Sequence, residues 1–159
     1  MRGPTKIIGV VLSIAACTAR ADDSGTPPGE KRVWLNAGMY SRHFERDKGF
    51  RGNNYGLGVE VALSQRDSIA TGFFRNSDDR RSNYAAWLWK PLEFGPARIG
   101  LALAAFDGYP RVRNGGWFPA VFPVASGEYR AVGANIALLP SYGDRLHGAL
   151  VVQLKLRVW

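Results

Sequence analysis

Cysteine is almost absent from this 159-residue chain, which has one, and histidine is nearly as scarce, with two. A single cysteine can neither close an internal disulfide nor chelate zinc, so a disulfide-stapled scaffold and a cysteine-based zinc module are excluded. Long apolar runs are missing as well. Beyond the N-terminus no stretch approaches the roughly 18 apolar residues that a membrane-crossing helix needs. Acidic residues are outnumbered, 13 against 21 lysines and arginines, which leaves a formal charge of +8. What is present is aromatic and glycine-rich: 12% aromatic residues and 19 glycines, with 21% charged residues. That balance excludes a disordered chain. The length suits one domain with a core of its own, and is too short for two.

The first segment reads as an address. Arg2 and Lys6 precede the apolar run Ile7–Cys17, and Ala19-Arg20-Ala21 then places small residues where a signal peptidase reads. Residues 1–21 are expected to be a cleaved secretory signal peptide. A competing reading takes Ile14-Ala15-Ala16-Cys17 as a lipoprotein box, with Cys17 lipidated. Cleavage after Ala21 removes three cations and lowers the charge to +5, which weakens a nucleic-acid partner. No phosphate-binding glycine loop, metal-ligand cluster or nucleic-acid motif is seen, so neither cofactor nor metal is expected. Residues 22–32, broken by Pro27-Pro28, read as an extended lead-in.

From Val33 onward the dominant pattern is alternation with period two. It predicts strands at 33–44, 55–64, 69–77, 83–90, 97–106, 118–126, 129–139 and 147–158, with no sustained helical period. The longer connections, at 45–54, 78–82, 107–117 and 140–146, alternate with short ones at 65–68, 91–96 and 127–128. Long loops at one end and tight turns at the other predict an all-β, eight-stranded antiparallel up-and-down barrel over 33–159, of the bacterial outer-membrane type. A monomer is expected.

The two faces of the strands differ in size as much as in polarity. Tyr55, Leu57, Val59, Val61 and Leu63 oppose Gly56, Gly58, Glu60, Ala62 and Ser64, while Ile99, Leu101 and Leu103 oppose Gly100, Ala102 and Ala104. A soluble barrel should turn its large apolar residues inward and polar ones outward. A lipid-facing outside with a small-residue interior fits this pattern better. Gly58, Gly72, Gly100, Ala102, Ala104, Gly133 and Ala137 then leave a narrow apolar bore suited to an acyl chain. The plainer alternative is that these glycines serve curvature and close strand packing. The five tryptophans, Trp34, Trp87, Trp89, Trp117 and Trp159, suit interface girdles, with Trp87 and Trp89 alternatively closing the cavity floor. Arginines and lysines on the long loops (Arg46, Lys48, Arg51, Arg80, Arg81, Arg111, Arg113, Arg145) suit either lipopolysaccharide phosphates or a merely solvated rim.

Candidate chemistry lies at the loop end. Strands one and three both rise toward it, so His43 and Asn76-Ser77 converge there. Imidazole beside a hydroxyl is the minimal arrangement for acyl chemistry, with the ring taking the hydroxyl proton. Asn76 is a candidate for orienting the ring or donating to an oxyanion, and Asp78 or Asp79 for supplying negative charge. The alternation of strand one places His43 on the outward side, with Leu35 and Ala37. His147, near Asp144 and Ser141, forms a second histidine cluster.

With these residues in view, the chain resembles the lipid A palmitoyltransferase family, the PagP-type outer-membrane acyltransferases. The resemblance is carried by Trp117–Pro140 (WFPAVFPVASGEYRAVGANIALLP), with Pro119 and Pro123 four apart, then Ala125-Ser126 and Tyr129. It is supported by FFRNS at Phe73–Ser77, by Trp89-Lys90-Pro91-Leu92, and by His43 in the place of the catalytic histidine. The likeness implies transfer of an acyl chain from a phospholipid to lipid A at the outer membrane, by His43, Ser77 and the residue at 76. It also implies that the lumen measures the chain and that the proline-bearing seams at Pro119 and Pro123 admit lipid laterally. Asn76 stands where the family has aspartate, 22–32 offers no amphipathic N-terminal helix, and the last strand's apolar register falls on Val158 instead of the terminal Trp159. Two readings compete with an acyltransferase: a non-catalytic barrel of the same shape, and a secreted lipocalin-like lipid binder.

Overall fold

A computed structural model of the chain describes residues 31–45, 52–141 and 147–159. The expected signal peptide, Cys17 and nearly all of the lead-in lie outside the described residues, as do Arg46, Lys48, Arg51, Asp144 and Arg145. Eight strands form: β1 Arg32–His43, β2 Asn53–Ala62, β3 Asp67–Arg75, β4 Arg81–Phe94, β5 Ala97–Phe106, β6 Phe118–Tyr129, β7 Val132–Leu139 and β8 Ala149–Arg157. Each pairs antiparallel with the next, and β8 pairs with β1, so the sheet closes into a barrel. The all-β, eight-stranded fold and the alternation of long and short connections are as the period-two pattern predicts.

Two turns differ from expectation. β4 runs through Pro91 to Phe94, because a register shift between Trp89 and Leu92 accommodates the proline inside the strand. The turn that follows shrinks to Gly95-Pro96, with Gly95 at φ 58°. β6 continues past Gly127-Glu128 to Tyr129, and the chain reverses at Arg130-Ala131, where Arg130 takes φ 53°. Glu128 is held in the ladder by ion pairs to Arg32 and Lys155, both 2.8 Å.

The outside is apolar. Leu57, Val59, Leu101, Leu103, Ile136, Leu138, Leu150, Leu154 and Leu156 are all 40–65% exposed around the wall. A water-soluble lipid binder would turn these side chains inward. Trp87 and Trp89 share this outer surface, with Trp87 Nε1 donating to Asp67 at 3.2 Å, so neither closes the cavity floor. Trp34 departs from a girdle role altogether: it is fully buried inside the bore.

The bore has two halves. At the short-turn end it is filled by a polar cluster around Glu60, which is 1% exposed. Glu60 accepts from Ser68 Oγ (2.8 Å), Asn135 Nδ2 (2.8 Å), Lys155 Nζ (3.2 Å) and Lys90 Nζ (3.4 Å). Lys155 also lies 4.7 Å over the ring of Trp34. At the loop end the interior is apolar, built from Ala70, Phe74, Tyr84, Leu88, Ala102, Ala104, Phe122 and Val124. The expected sparse interior is therefore found in the upper half alone.

A second register shift, between Ala37 and Met39 of β1, moves that strand by one residue against both β2 and β8. Such a bulge turns every later side chain to the opposite face. Trp34 and Asn36 point inward below it, and Ser41 points inward above it. His43, two residues on, follows Ser41 into the bore and not Leu35 to the outside. Gly38 makes the bulge possible, since a Cβ there would run into the β2 backbone at Asn54 and Tyr55. We expect Gly38→Ala to destabilise the barrel by about 1–3 kcal/mol, as overpacking does. Denaturant unfolding in detergent micelles measures it, and an unchanged midpoint would refute the role given to Gly38.

Candidate active site

β1 delivers His43 to the loop end, and the turn after β3 delivers Ser77. The Ser77 Oγ–His43 Nε2 separation is 3.1 Å, a hydrogen bond between residues 34 apart in sequence. Both line the mouth of the upper cavity, together with Asp78, Tyr109, Arg111 and His147. The cavity runs down from there between apolar walls and ends near Asn135 and Gln153. From Ala149 to Gln153 this is roughly 13 Å of strand.

His43 is the last residue of β1, one past the outward-facing Arg42. Burial and the neighbouring His147 hold its ring below the ordinary imidazole value, against the pull of Asp78. At neutral pH the ring is therefore neutral and able to take a proton from Ser77. His147 itself is buried, with Nδ1 3.1 Å from Glu45 Oε2. Of the two candidate carboxylates, Asp78 lines the mouth and acts on His43, while Asp79 is paired outward with Arg75 at 2.6 Å. Burial, then Asp78, pushes the Tyr109 phenol far above its ordinary value, so it stays protonated at the mouth.

Asn76 does something different from orienting a ring. Its Oδ1 accepts from the backbone N–H of Asp78 and of Arg80, both at 3.0 Å. Its Nδ2 donates to Ser82 Oγ and to the carbonyl of Gly108, both at 2.9 Å. Two donors and two lone pairs are thus all engaged, none with His43. Asn76 builds the turn that carries Ser77 and ties it to the 107–117 loop. An aspartate cannot donate to Gly108, which gives asparagine a physical reason here.

The residues expected to line the bore divide. Ala102 lines the cavity, as does Ala137, and Ala104 packs in the same apolar cluster. Gly58 and Gly72 do not line it, because the ring of Tyr84 lies over both. Gly100 is pressed against the β4 backbone at Trp89 and Lys90, and Gly133 against the side chain of Lys155. Close packing therefore explains these four glycines. Trp87, Pro119 and Pro123 face outward. The two prolines fall in a stretch of β6, 118–123, that pairs with β5 alone, because the β6–β7 ladder stops at Val124–Ala137. A missing ladder donor costs least there. Sequence reasoning missed Tyr109, which burial at the mouth reveals, and Asn54, whose place in a polar-looking Asn-Asn pair gives no signal.

No protein-family model and no curated protein matches the chain. Among solved structures it resembles the solution NMR structure of the de novo designed TMB2.3, a transmembrane β-barrel. The likeness has a TM-score of 0.52 at 15% identity and covers 83% of this chain and 96% of that one. It supports the barrel fold and carries no information about the site.

Replacing Asn76 tests its role as the turn's organiser. Asn76→Asp keeps both acceptors and loses both donors, so it should cost about 1–3 kcal/mol in micelle unfolding. A neutral Asn76→Asp variant would show that the bond to Gly108 does not hold the turn.

Proposed function

We propose that this protein is an outer-membrane acyltransferase that moves a fatty acyl chain from a phospholipid to lipid A. The observation that carries the reading is the Ser77–His43 contact at the mouth of an apolar cavity closed beneath. His43 removes the Ser77 proton as Oγ attacks the phospholipid ester carbonyl. The lysophospholipid alkoxide leaves with that proton. A lipid A hydroxyl, deprotonated by His43 in turn, then takes the acyl group and restores Ser77. One ester is broken and one formed, and no cofactor enters. The open β6–β7 ladder supports entry of the chain through the wall, and Arg111 at the mouth suits a phosphate.

Mass spectrometry of lipid A from cells with and without the gene tests this. The wild type should add one acyl chain, and His43→Ala and Ser77→Ala should each lose at least about a hundred-fold in yield while remaining folded. No added chain, or unchanged yields in both variants, would favour the non-catalytic barrel.

The pH profile gives a second check. A proton acceptor works in its neutral form, so transfer should rise with pH through an apparent pKa below the ordinary imidazole value and stay flat through neutrality. His147→Gln removes a like charge, so it should move that limb upward. A limb that does not move would separate His147 from the reaction.

A further inference from the structure

Attack of Ser77 Oγ on an ester carbonyl puts a charge on the carbonyl oxygen, which needs hydrogen-bond donors already in place. The usual source, the backbone beside the nucleophile, is spent in this turn. The N–H groups of Asp78 and Arg80 both go to Asn76 Oδ1, and that of Asp79 goes to the Asn76 carbonyl, each at 3.0 Å. The Asn76 amide donates to Ser82 and Gly108. At most the N–H of Ser77 itself is left, whereas an oxyanion site ordinarily supplies two donors. The bond from Asn76 to the Gly108 carbonyl also brings the next residue of each segment, Ser77 and Tyr109, to the same mouth. Tyr109 is held from two sides. Its carbonyl accepts from the N–H groups of Val112 (2.9 Å) and Gly115 (3.1 Å), and its ring meets Phe118 edge-on with centroids 5.7 Å apart. Among the described residues its hydroxyl makes no hydrogen bond, and unlike the sealed Asn54 Oδ1 it keeps accessible surface. Burial and Asp78 keep the phenol protonated, so a proton is there to donate. Arg111, the cation at the mouth, is exposed, and a long side chain in solvent is not preorganised.

We propose that Tyr109 is a catalytic residue whose hydroxyl donates a hydrogen bond to the oxyanion formed when Ser77 attacks the acyl ester. This rests on the acyl-transfer reading above and adds the group that meets the developing charge. Ser77 Oγ bonds to the carbonyl carbon, His43 takes the hydroxyl proton, and the carbonyl π pair moves onto the oxygen that faces Tyr109. The phenol keeps its own proton throughout. When the pair returns, the C–O bond to the lysophospholipid breaks and the leaving oxygen takes the proton from His43. The same donor serves the second half of the reaction, in which the acyl-Ser77 ester is attacked in turn. A donor fixed through its backbone and its ring costs no reorganisation at the moment the charge appears.

The full chain in detergent micelles is assayed with p-nitrophenyl hexadecanoate, whose cleavage passes through such an oxyanion whether acylation or deacylation limits. Tyr109→Phe removes the hydroxyl and keeps the ring against Phe118. It should lower kcat about a hundred-fold at an unchanged KM, with the low-pH limb set by His43 in place. Labelling of Ser77 by hexadecyl fluorophosphonate, followed by intact mass, reads the same contact, because the phosphonyl oxygen takes the place of the oxyanion. It should slow about a hundred-fold in Tyr109→Phe as well. If that variant does not fold, Tyr109→Leu takes its place. Unchanged kcat and labelling, or a loss confined to KM or to the unfolding midpoint, would overturn the proposal and leave Ser77 and His43 in their roles. A wild type that neither turns over nor labels above Ser77→Ala removes the acyl-transfer reading itself, and this assignment falls with it. The two failures are thereby told apart.

Discussion

Glu60 is the residue around which the interior is arranged. A carboxylate removed from water is tolerable only when its lone pairs and its charge are both answered. Here the answers come from Ser68, Asn135, Lys90 and Lys155. With Glu60 itself, five strands contribute, so the cluster ties the barrel across its bore, whereas the ladders tie it only around the circumference. Losing one partner of such a group costs about 3–5 kcal/mol, yet a well-packed apolar filling does about as well for stability. What charges add is exclusivity: an apolar group gains nothing by pushing into them. The cluster makes the lower bore a floor, and the upper bore becomes a blind apolar pocket.

A floor of this kind leaves the opposite end for the proposed chemistry, and two local devices shape that end. The bulge at Gly38 turns His43 inward after the lower strand has already committed Trp34 and Asn36 to the bore. An uninterrupted β1 would serve one end or the other. Asn76 then fixes the five-residue turn that presents Ser77, using backbone groups that a short turn leaves unpaired. The site thus sits on a strand end and a tied turn, which is how a 3.1 Å contact is held between segments far apart in sequence.

Much of the fold was legible because a barrel wall is one repeated pattern. Alternation marks strands whatever their neighbours are, and all eight emerged within a few residues of their bounds. Two of the failures share a cause: a single residue breaks the repeat. Pro91 reads as a strand end, but a bulge lets β4 pass through it. Gly38 reads as one more small residue, so plain alternation puts His43 on the wrong face. Small residues also read as empty space, and here most of them are not. Gly58 and Gly72 are small because Tyr84 lies on them, and Gly133 because Lys155 does. A sequence shows that a side chain is missing but not what occupies its place. The pairing of His43 with Ser77 was legible because strand direction alone brings the two to one end, whereas the role of Asn76 was hidden, since its partner Gly108 lies 32 positions away on another loop.

The closed floor and the open seam belong together in the proposed reaction. A chain that reaches a blind pocket from a bilayer must leave the hydrocarbon either over the rim or through the wall. Over the rim, methylenes cross the polar headgroup layer and water at about 0.8 kcal/mol each, so a dozen of them face a barrier on the order of 10 kcal/mol. Through the wall they remain among apolar groups. Between β6 and β7 the ladder is absent over the upper half, and Val121, Pro119 and Pro123 face outward beside the gap. Opening that part of the wall breaks no β6–β7 ladder bonds, because none form over 118–123, and β6 there is held by β5. In the proposed reaction these prolines, on the stretch of β6 that β7 leaves unpaired, mark the side from which the pocket is filled.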